Sequence, residues 1–397
     1  MSTKPRSRAL LGLFSVAFTA GVGLWMVPPV LPQIGAQEHL GPAGVAMIAS
    51  AGYVTEILGY LLAGRTIARS GAHRALTYSL GFQVLGDLLF VLGGHLGLYL
   101  VGRVFQGLGM SWAWLGVMIG VVEERGRAAS KSLPLLVVGF TLGNVVGPGI
   151  GGLGGIRLPF LVHAVLSLIV LAAVAPNRWR VVEEPLGFLH SSIGRDRAFR
   201  FVMAAWAIFG FSFGYIEGAL PVHFATRLSQ AGVGFLYMLG ALAAAVGAVT
   251  LGRLAGSHRS RPGVALGMVL IAGGLLAGSI SDSVAVWVAA FVIFGLGAGG
   301  SDPNILGVIT SDVPFEIMIG VQTLAAEAFA IGLFIGPVLG GILAEQAGFA
   351  VAGMVIALPS MAFAVVGMSL AVARGRASRE GPAPWVQGAP ERDEPEP

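Results

Sequence analysis

Gly143-Asn144-Val145-Val146-Gly147-Pro148-Gly149-Ile150-Gly151-Gly152 returns as Gly332-Leu333-Phe334-Ile335-Gly336-Pro337-Val338-Leu339-Gly340-Gly341, 189 residues later. Both copies read G-x3-G-P-x2-G-G. Small residues four apart let helix backbones approach closely in lipid. A proline inside a helix removes one backbone hydrogen bond and bends the rod. Two further anchors repeat at nearly the same offset. Gly64-Arg65 matches Gly252-Arg253, and Val104-Phe105-Gln106-Gly107-Leu108-Gly109 matches Val292-Ile293-Phe294-Gly295-Leu296-Gly297, each at 188 residues. Three anchors in register are the mark of an internal duplication. The chain is two copies of one unit, in the same order and orientation.

Each anchor lies in an apolar stretch long enough to cross a bilayer core, which takes about 20 residues. Twelve such stretches follow one another: 9–31, 42–64, 75–94, 97–121, 134–153, 158–175, 201–222, 231–252, 263–280, 285–309, 319–343 and 349–372. They predict an all-α membrane protein: a six-helix bundle over 1–175, a linker over 176–200, a second bundle over 201–372, and a disordered cytoplasmic tail over 373–397. The first stretch follows Lys4, Arg6 and Arg8 like a signal peptide. It is too long for one and is read as a retained helix. Composition agrees. Of 397 residues, 55% are hydrophobic and 11% charged, against roughly a quarter charged in soluble proteins. A large soluble enzyme and a disordered chain are both excluded. With no cysteine, disulfides, thiolate metal sites and cysteine nucleophiles are excluded too.

Lys and Arg set the orientation. With the N-terminus inside, the inner segments hold 21 of them and the outer loops hold two, Arg157 and Arg227. Both termini are therefore expected in the cytoplasm, in a multi-pass protein of the inner or plasma membrane. The pI near 9.8 reflects charge facing the anionic inner leaflet, so no nucleic-acid partner is expected.

Arg103-x2-Gln106-Gly107-x-Gly109 in the fourth stretch resembles an R-x-x-Q-G-x-G signature. Gly23-x5-Pro29-Val30-Leu31-Pro32 closes the first in a pattern similar to that of twelve-span exporters. With the G-x3-G-P-x2-G-G motif, these make the chain resemble the major facilitator superfamily, and within it the twelve-span drug:proton antiporters. The resemblance runs to about residue 372. It implies two pseudo-symmetric six-helix bundles, export, and a cavity lined by the first, fourth, seventh and tenth helices. It also implies a gating loop after the second. There Gly64, Arg65, Arg69, Gly71 and Arg74 fit the family, whereas Ala68 stands where it has Asp and Gly256 stands at the matching place in the second half. That departure puts the family's inner-gate salt bridge in doubt. Gly143, Gly147, Pro148 and Gly151, with Gly332, Gly336, Pro337 and Gly340, are read as gating or hinge residues. Static helix packing is the alternative.

Two halves imply a site near the midplane between them, reached from either side in turn. The ionisable residues within the stretches are few: Glu56, Asp87, Arg103, Glu217, Asp302 and Glu327. A charge at the bilayer centre costs at least about 2.5–3.5 kcal/mol on insertion scales and belongs in a cavity or beside a partner. Burial disfavours the ionised form of a carboxyl, which suits a group where a proton and a substrate compete. Glu217 is the first candidate for a proton or substrate site, then Glu56, Asp302 and Glu327. Arg103 is expected to face Glu217 across the cavity and to partner Asp87. The alternatives are a helix-break cap for Asp302, a structural hydrogen bond for Glu327 and a shallow gate for Glu217. Asn144 is a weaker candidate for binding substrate, His163 reads as structural and outside the cavity, and His223 as solvated. Trp25, Trp112, Trp114, Phe213 and Tyr215 are candidates to line an apolar pocket, with lipid-facing or packing roles as the alternative.

No metal-ligand spacing occurs. There is also no G-x4-G-K-[ST] loop and no nucleophile elbow, so ATP-driven transport by this chain and hydrolysis are not supported. Five acids against one Arg in the spans favour neutral or cationic cargo. The leading expectation is a proton-coupled exporter of small lipophilic or cationic compounds. It would need no cofactor beyond the proton gradient and would act as a monomer in the bilayer on a small-molecule substrate. An exporter of a polar metabolite such as a sugar or amino-acid derivative, a lipid flippase on the same scaffold, and a sensor that does not transport remain as alternatives.

Overall fold

A computed structural model describes residues 4–125, 133–176, 197–254, 260–312 and 315–377. Residue 256 and most of the 176–200 linker and of the tail lie outside these. The described chain is helical. The first half contains α1 (Lys4–Trp25), α2 (Leu31–Gln37), α3 (Pro42–Ser70), α4 (Ala72–Leu92), α5 (Leu96–Arg125), α6 (Leu133–Gly151) and α7 (Arg157–Val174). The second contains α8 (Arg197–Gly218), α9 (Leu220–Phe224), α10 (Gln230–Thr250), α11 (Ser260–Ile280), α12 (Val284–Asp312), α13 (Phe315–Ala347) and α14 (Phe349–Ala377). Among the described residues, nine helices are long and apolar enough to cross a membrane, and Ala9–Trp25 and Leu136–Gly151 are shorter apolar helices.

The repeat is visible in the packing. In the first half α1 lies on α6, α4 on α5 and α7, and α3 on α5. In the second the equivalent pairs are α8 on α13, α11 on α12 and α14, and α10 on α12. The halves meet where α3 crosses α13 and α6 crosses α10, again a repeat-related pair. Large apolar side chains such as Leu58, Leu85, Ile169, Val249, Leu358 and Val365 stay exposed on the outside, as a surface against lipid requires.

Glycine sets how close these rods come. A Cβ on Gly147 would stand 2.7 Å from the Val22 carbonyl oxygen, and Gly143 and Gly151 abut the Phe18 and Met26 carbonyls of the α1 chain in the same way. Gly332 and Gly336 abut the Ala207 and Phe211 carbonyls of α8, and Gly340 abuts the Tyr215 ring. The motif glycines therefore join helices within a half. Only the last glycine of each motif reaches across: a Cβ on Gly152 would lie 3.2 Å from Ala231 Cα, and one on Gly341 2.6 Å from Ala46 Cβ. Pro148 and Pro337 lie inside α6 and α13, and Pro337 packs on Gly214 and Gly218 of α8. Gly71 alone connects α3 to α4, with φ +79°, a backbone conformation that glycine adopts without a steric penalty. Arg65 and Arg69 are exposed on the last turns of α3.

The face opposite the start of α1 is closed. There the Ala43 N–H at the start of α3 donates to Glu345 Oε2 of α13 at 3.0 Å. Gln230 Nε2 of α10 donates to the Gly151 and Gly155 carbonyls at 2.7 and 2.9 Å.

Candidate functional site

The site begins on one face of α3, where Gly52, Tyr53, Glu56 and Tyr60 recur at helical spacing. A Cβ on Gly52 would lie 2.8 Å from Arg103 Nη2, so the glycine makes room for the guanidinium. Arg103 is 4% exposed. It donates to the Ala49 carbonyl at 3.3 Å and to Gln106 Oε1 at 3.0 Å, and its Cζ stands 5.6 Å over the Tyr53 ring. Its Nε is buried without a partner.

Asp87 does not bond Arg103 directly as expected. Gln106, one turn along α5, stands between them and donates to Asp87 Oδ1 at 2.8 Å. The bridging amide suits both neighbours, because it presents an acceptor to the guanidinium and a donor to the carboxylate. Asp87 Oδ2 faces His163 Nδ1 of α7 at 2.6 Å. His163 thus has a structural partner and also borders a space within the first half. It lines this small cavity with Tyr53, Glu56, Gln83, Arg103 and Gln106, with room for about one or two waters.

The other half enters through Glu217. It sits deeper than the sequence reading had it, because the apolar chain continues through α9 to Phe224. Tyr53 O–H donates to Glu217 Oε2 across the seam. Glu217 is 2% exposed, and its Oε1 has no partner. A buried acceptor left open costs about 1–3 kcal/mol and marks where a proton or a donor group of a ligand would gain most. Glu56 accepts from Tyr60 O–H at 2.8 Å. Arg103 and Glu217 therefore meet at Tyr53, which lies under one and bonds the other.

Beside Glu217 an aromatic wall crosses the seam. Trp25 of α1 meets Phe213 edge-on, with centroids 5.4 Å apart, and Tyr237 at 6.1 Å. Phe213 also meets Phe209, Phe294 and Phe329. Two aromatic candidates fall elsewhere. Tyr215 is fully buried inside the second half, its hydroxyl on Ser279 Oγ at 3.2 Å, because it projects from the side of α8 turned toward α11. Trp112 packs edge-on to Phe82 and Tyr78 of α4, inside the first half. Trp114 is half-buried against Phe140 of α6.

The remaining candidates are scattered. Asn144 lies between α6 and α1, its Oδ1 buried without a partner. Asp302 is half-buried in mid-α12. The helix runs through Pro303 without a break, so Asp302 caps nothing. Glu327 is half-buried on α13.

The family model described as Major Facilitator Superfamily matches residues 13–325 and 228–391. The chain belongs to the major facilitator superfamily. It is a transporter of that family and not an enzyme. Multidrug resistance protein 2 of Bacillus subtilis is 26% identical over 161 residues, 40% of each chain. The human chromaffin granule amine transporter is 24% identical over 335 residues, covering 79% of this chain and 62% of its own. The matches thus span about two-fifths to three-fifths of these relatives' lengths. Among solved structures, a bacterial homologue of the human lysosomal transporter Spinster, inward-facing and occupied, superposes with a TM-score of 0.75 at 14% identity, over 97% of this chain and 100% of its own. That likeness shows the shared fold.

Proposed function

We propose that this transporter exports small lipophilic cations in exchange for protons, with both termini in the cytoplasm and the outer face closed in the state described above. One observation carries the reading: a carboxyl of the second half, Glu217, is buried at the seam with one oxygen held by Tyr53 and the other open. A proton or a cationic group satisfies that oxygen, and the two exclude each other. The aromatic wall of Trp25, Phe213 and Phe329 supports an apolar, positively charged cargo, since ring faces attract cations. The multidrug and amine transporters among the relatives bear names consistent with such cargo. Arg103 stacked on Tyr53 supplies the charge that answers Glu217 when its proton has left.

Exchange then follows from competition. Protonated Glu217 releases the cation, and deprotonated Glu217 takes the next one. Each event alters the Tyr53 bond that joins the halves. Everted vesicles loaded by an imposed pH gradient test this with ethidium as the probe. Native protein is expected to accumulate ethidium only with the gradient, and Glu217→Gln to lose that accumulation. Accumulation by native protein without a gradient refutes proton coupling. Unchanged transport by Glu217→Gln moves the site to Glu56, Asp302 or Glu327.

A further inference from the structure

Asp87 and His163 face each other at 2.6 Å with side chains 0% and 1% exposed. The other ring nitrogen, Nε2, lies 3.0 Å from the Thr19 carbonyl oxygen. A carbonyl only accepts, so Nε2 carries a hydrogen. A neutral imidazole has one hydrogen. With that one on Nε2, Nδ1 would point a bare lone pair at Asp87 Oδ2. Two acceptors at 2.6 Å without a hydrogen between them repel, and at that separation no water fits between them to relieve the clash. A second proton therefore lies on that line, on Nδ1 or on Oδ2. Asp87 Oδ1 is satisfied by Gln106, which leaves Oδ2 for this bond.

The site is built for the ring. A Cβ on Gly23 would lie 2.7 Å from His163 Cε1, so a glycine of the first-helix motif forms the floor beneath the imidazole. The titratable and charged groups around the pair are Arg103 from α5, Tyr53 and Glu56 from α3, and, beyond Tyr53, Glu217 from α8; α1 contributes the Thr19 carbonyl. His163 borders the same small cavity as Glu56 and Arg103, a space large enough for a water beside the ring.

We propose that the Asp87–His163 pair is a second proton-binding site, loaded in the closed-face state seen here and coupled to Glu217 through Gln106 and Arg103. This rests on the proton-coupled reading above and goes beyond it. On discharge the N–H or O–H bond in the Asp87–His163 line breaks and the proton passes to cavity water. The pair then carries one negative charge, and the ring must turn away from Asp87 or from Thr19. That loosens α7 from α4 and α1. The new charge also draws Arg103, through Gln106, away from Tyr53.

Two measurements test the proposal. In native protein labelled with nitrogen-15 histidine, magnetic resonance is expected to show one buried ring that is doubly protonated, or neutral with Nδ1 accepting from a protonated carboxyl; Asp87→Asn is expected to remove that signature. A neutral ring opposite an ionised Asp87 overturns the proposal. In everted vesicles, ethidium transport by native protein is expected to change by about a hundredfold per pH unit at the steep part of its profile, the slope of two linked protons, falling to about tenfold in Asp87→Asn/His163→Gln. Gly23→Ala, which displaces the ring and removes no titratable group, is expected to lower the slope in the same direction. A purely structural role lowers the rate at every pH and leaves the slope unchanged, and that result also overturns the proposal. If native transport ignores pH altogether, the coupling reading fails instead, while the ring's protonation still decides whether the pair binds a proton.

Discussion

Glu345→Ala is expected to open the face that the structure shows closed. Helix α3 is preceded by Gly41 at its N-cap, which has no side chain to cap the amides of the first turn. The missing acceptor comes from the opposite half, where Glu345 Oε2 takes the Ala43 N–H at 3.0 Å. Losing an N-cap costs about 1 kcal/mol, and a carboxylate near a helix N-terminus adds about 0.3–1 kcal/mol where it is exposed. Glu345 is exposed, and water replaces part of the bond once the face opens. A net change of about 0.5–1 kcal/mol remains, which is roughly a two- to fivefold rise in the open population. The chain has no cysteine, so Leu92→Cys and Ile280→Cys give a unique spin-label pair. Both residues are exposed, at 65% and 54%, and they end α4 and α11 on that face. Double electron–electron resonance is expected to show the long-distance fraction growing in Glu345→Ala and growing less in Glu345→Gln. An unchanged distance distribution in Glu345→Ala refutes the latch.

Gln230→Leu removes two bonds across the other seam. At about 1 kcal/mol each it is expected to shift the same distance distribution by roughly tenfold or more. Tyr53→Phe keeps the ring under Arg103 but leaves Glu217 without its donor; gradient-driven ethidium transport is expected to fall while the fold, read by thermal unfolding in detergent, is kept. Gly147→Val drives a side chain onto the Val22 carbonyl, and overpacking of about 1–3 kcal/mol is expected to lower the unfolding temperature, whereas Gly149→Ala, which meets nothing within 4 Å, is expected to leave it unchanged.

The duplication and the helices were legible because their signals are local: apolar runs, charged gaps and a motif at one offset. The site was legible only in part. Depth alone paired Asp87 with Arg103, and depth fits His163 as well, since His163 lies about as far into its stretch as Asp87 lies from the end of its own. What decides the partner is the azimuth of each side chain, which needs the packed bundle. Gln106 was read as part of a signature, yet it acts as the bridge between two charges. Tyr53 carried no signal, because a tyrosine in an apolar stretch looks like any packing aromatic. Tyr215 takes the packing alternative for the same kind of reason: two residues along α8 from Phe213, it points to the opposite side of the helix.

At Gly143, Gly147 and Gly151, where α6 meets α1, and at Gly332 and Gly336, where α13 meets α8, main chain touches main chain. Such joints have no soft layer to absorb a misfit, so each pair acts as a stiff strut. Directed evolution toward new cargo is therefore expected to collect its gains at Trp25, Phe213 and Phe329, and to find Gly143, Gly147, Gly151, Gly332 and Gly336 intolerant of any side chain.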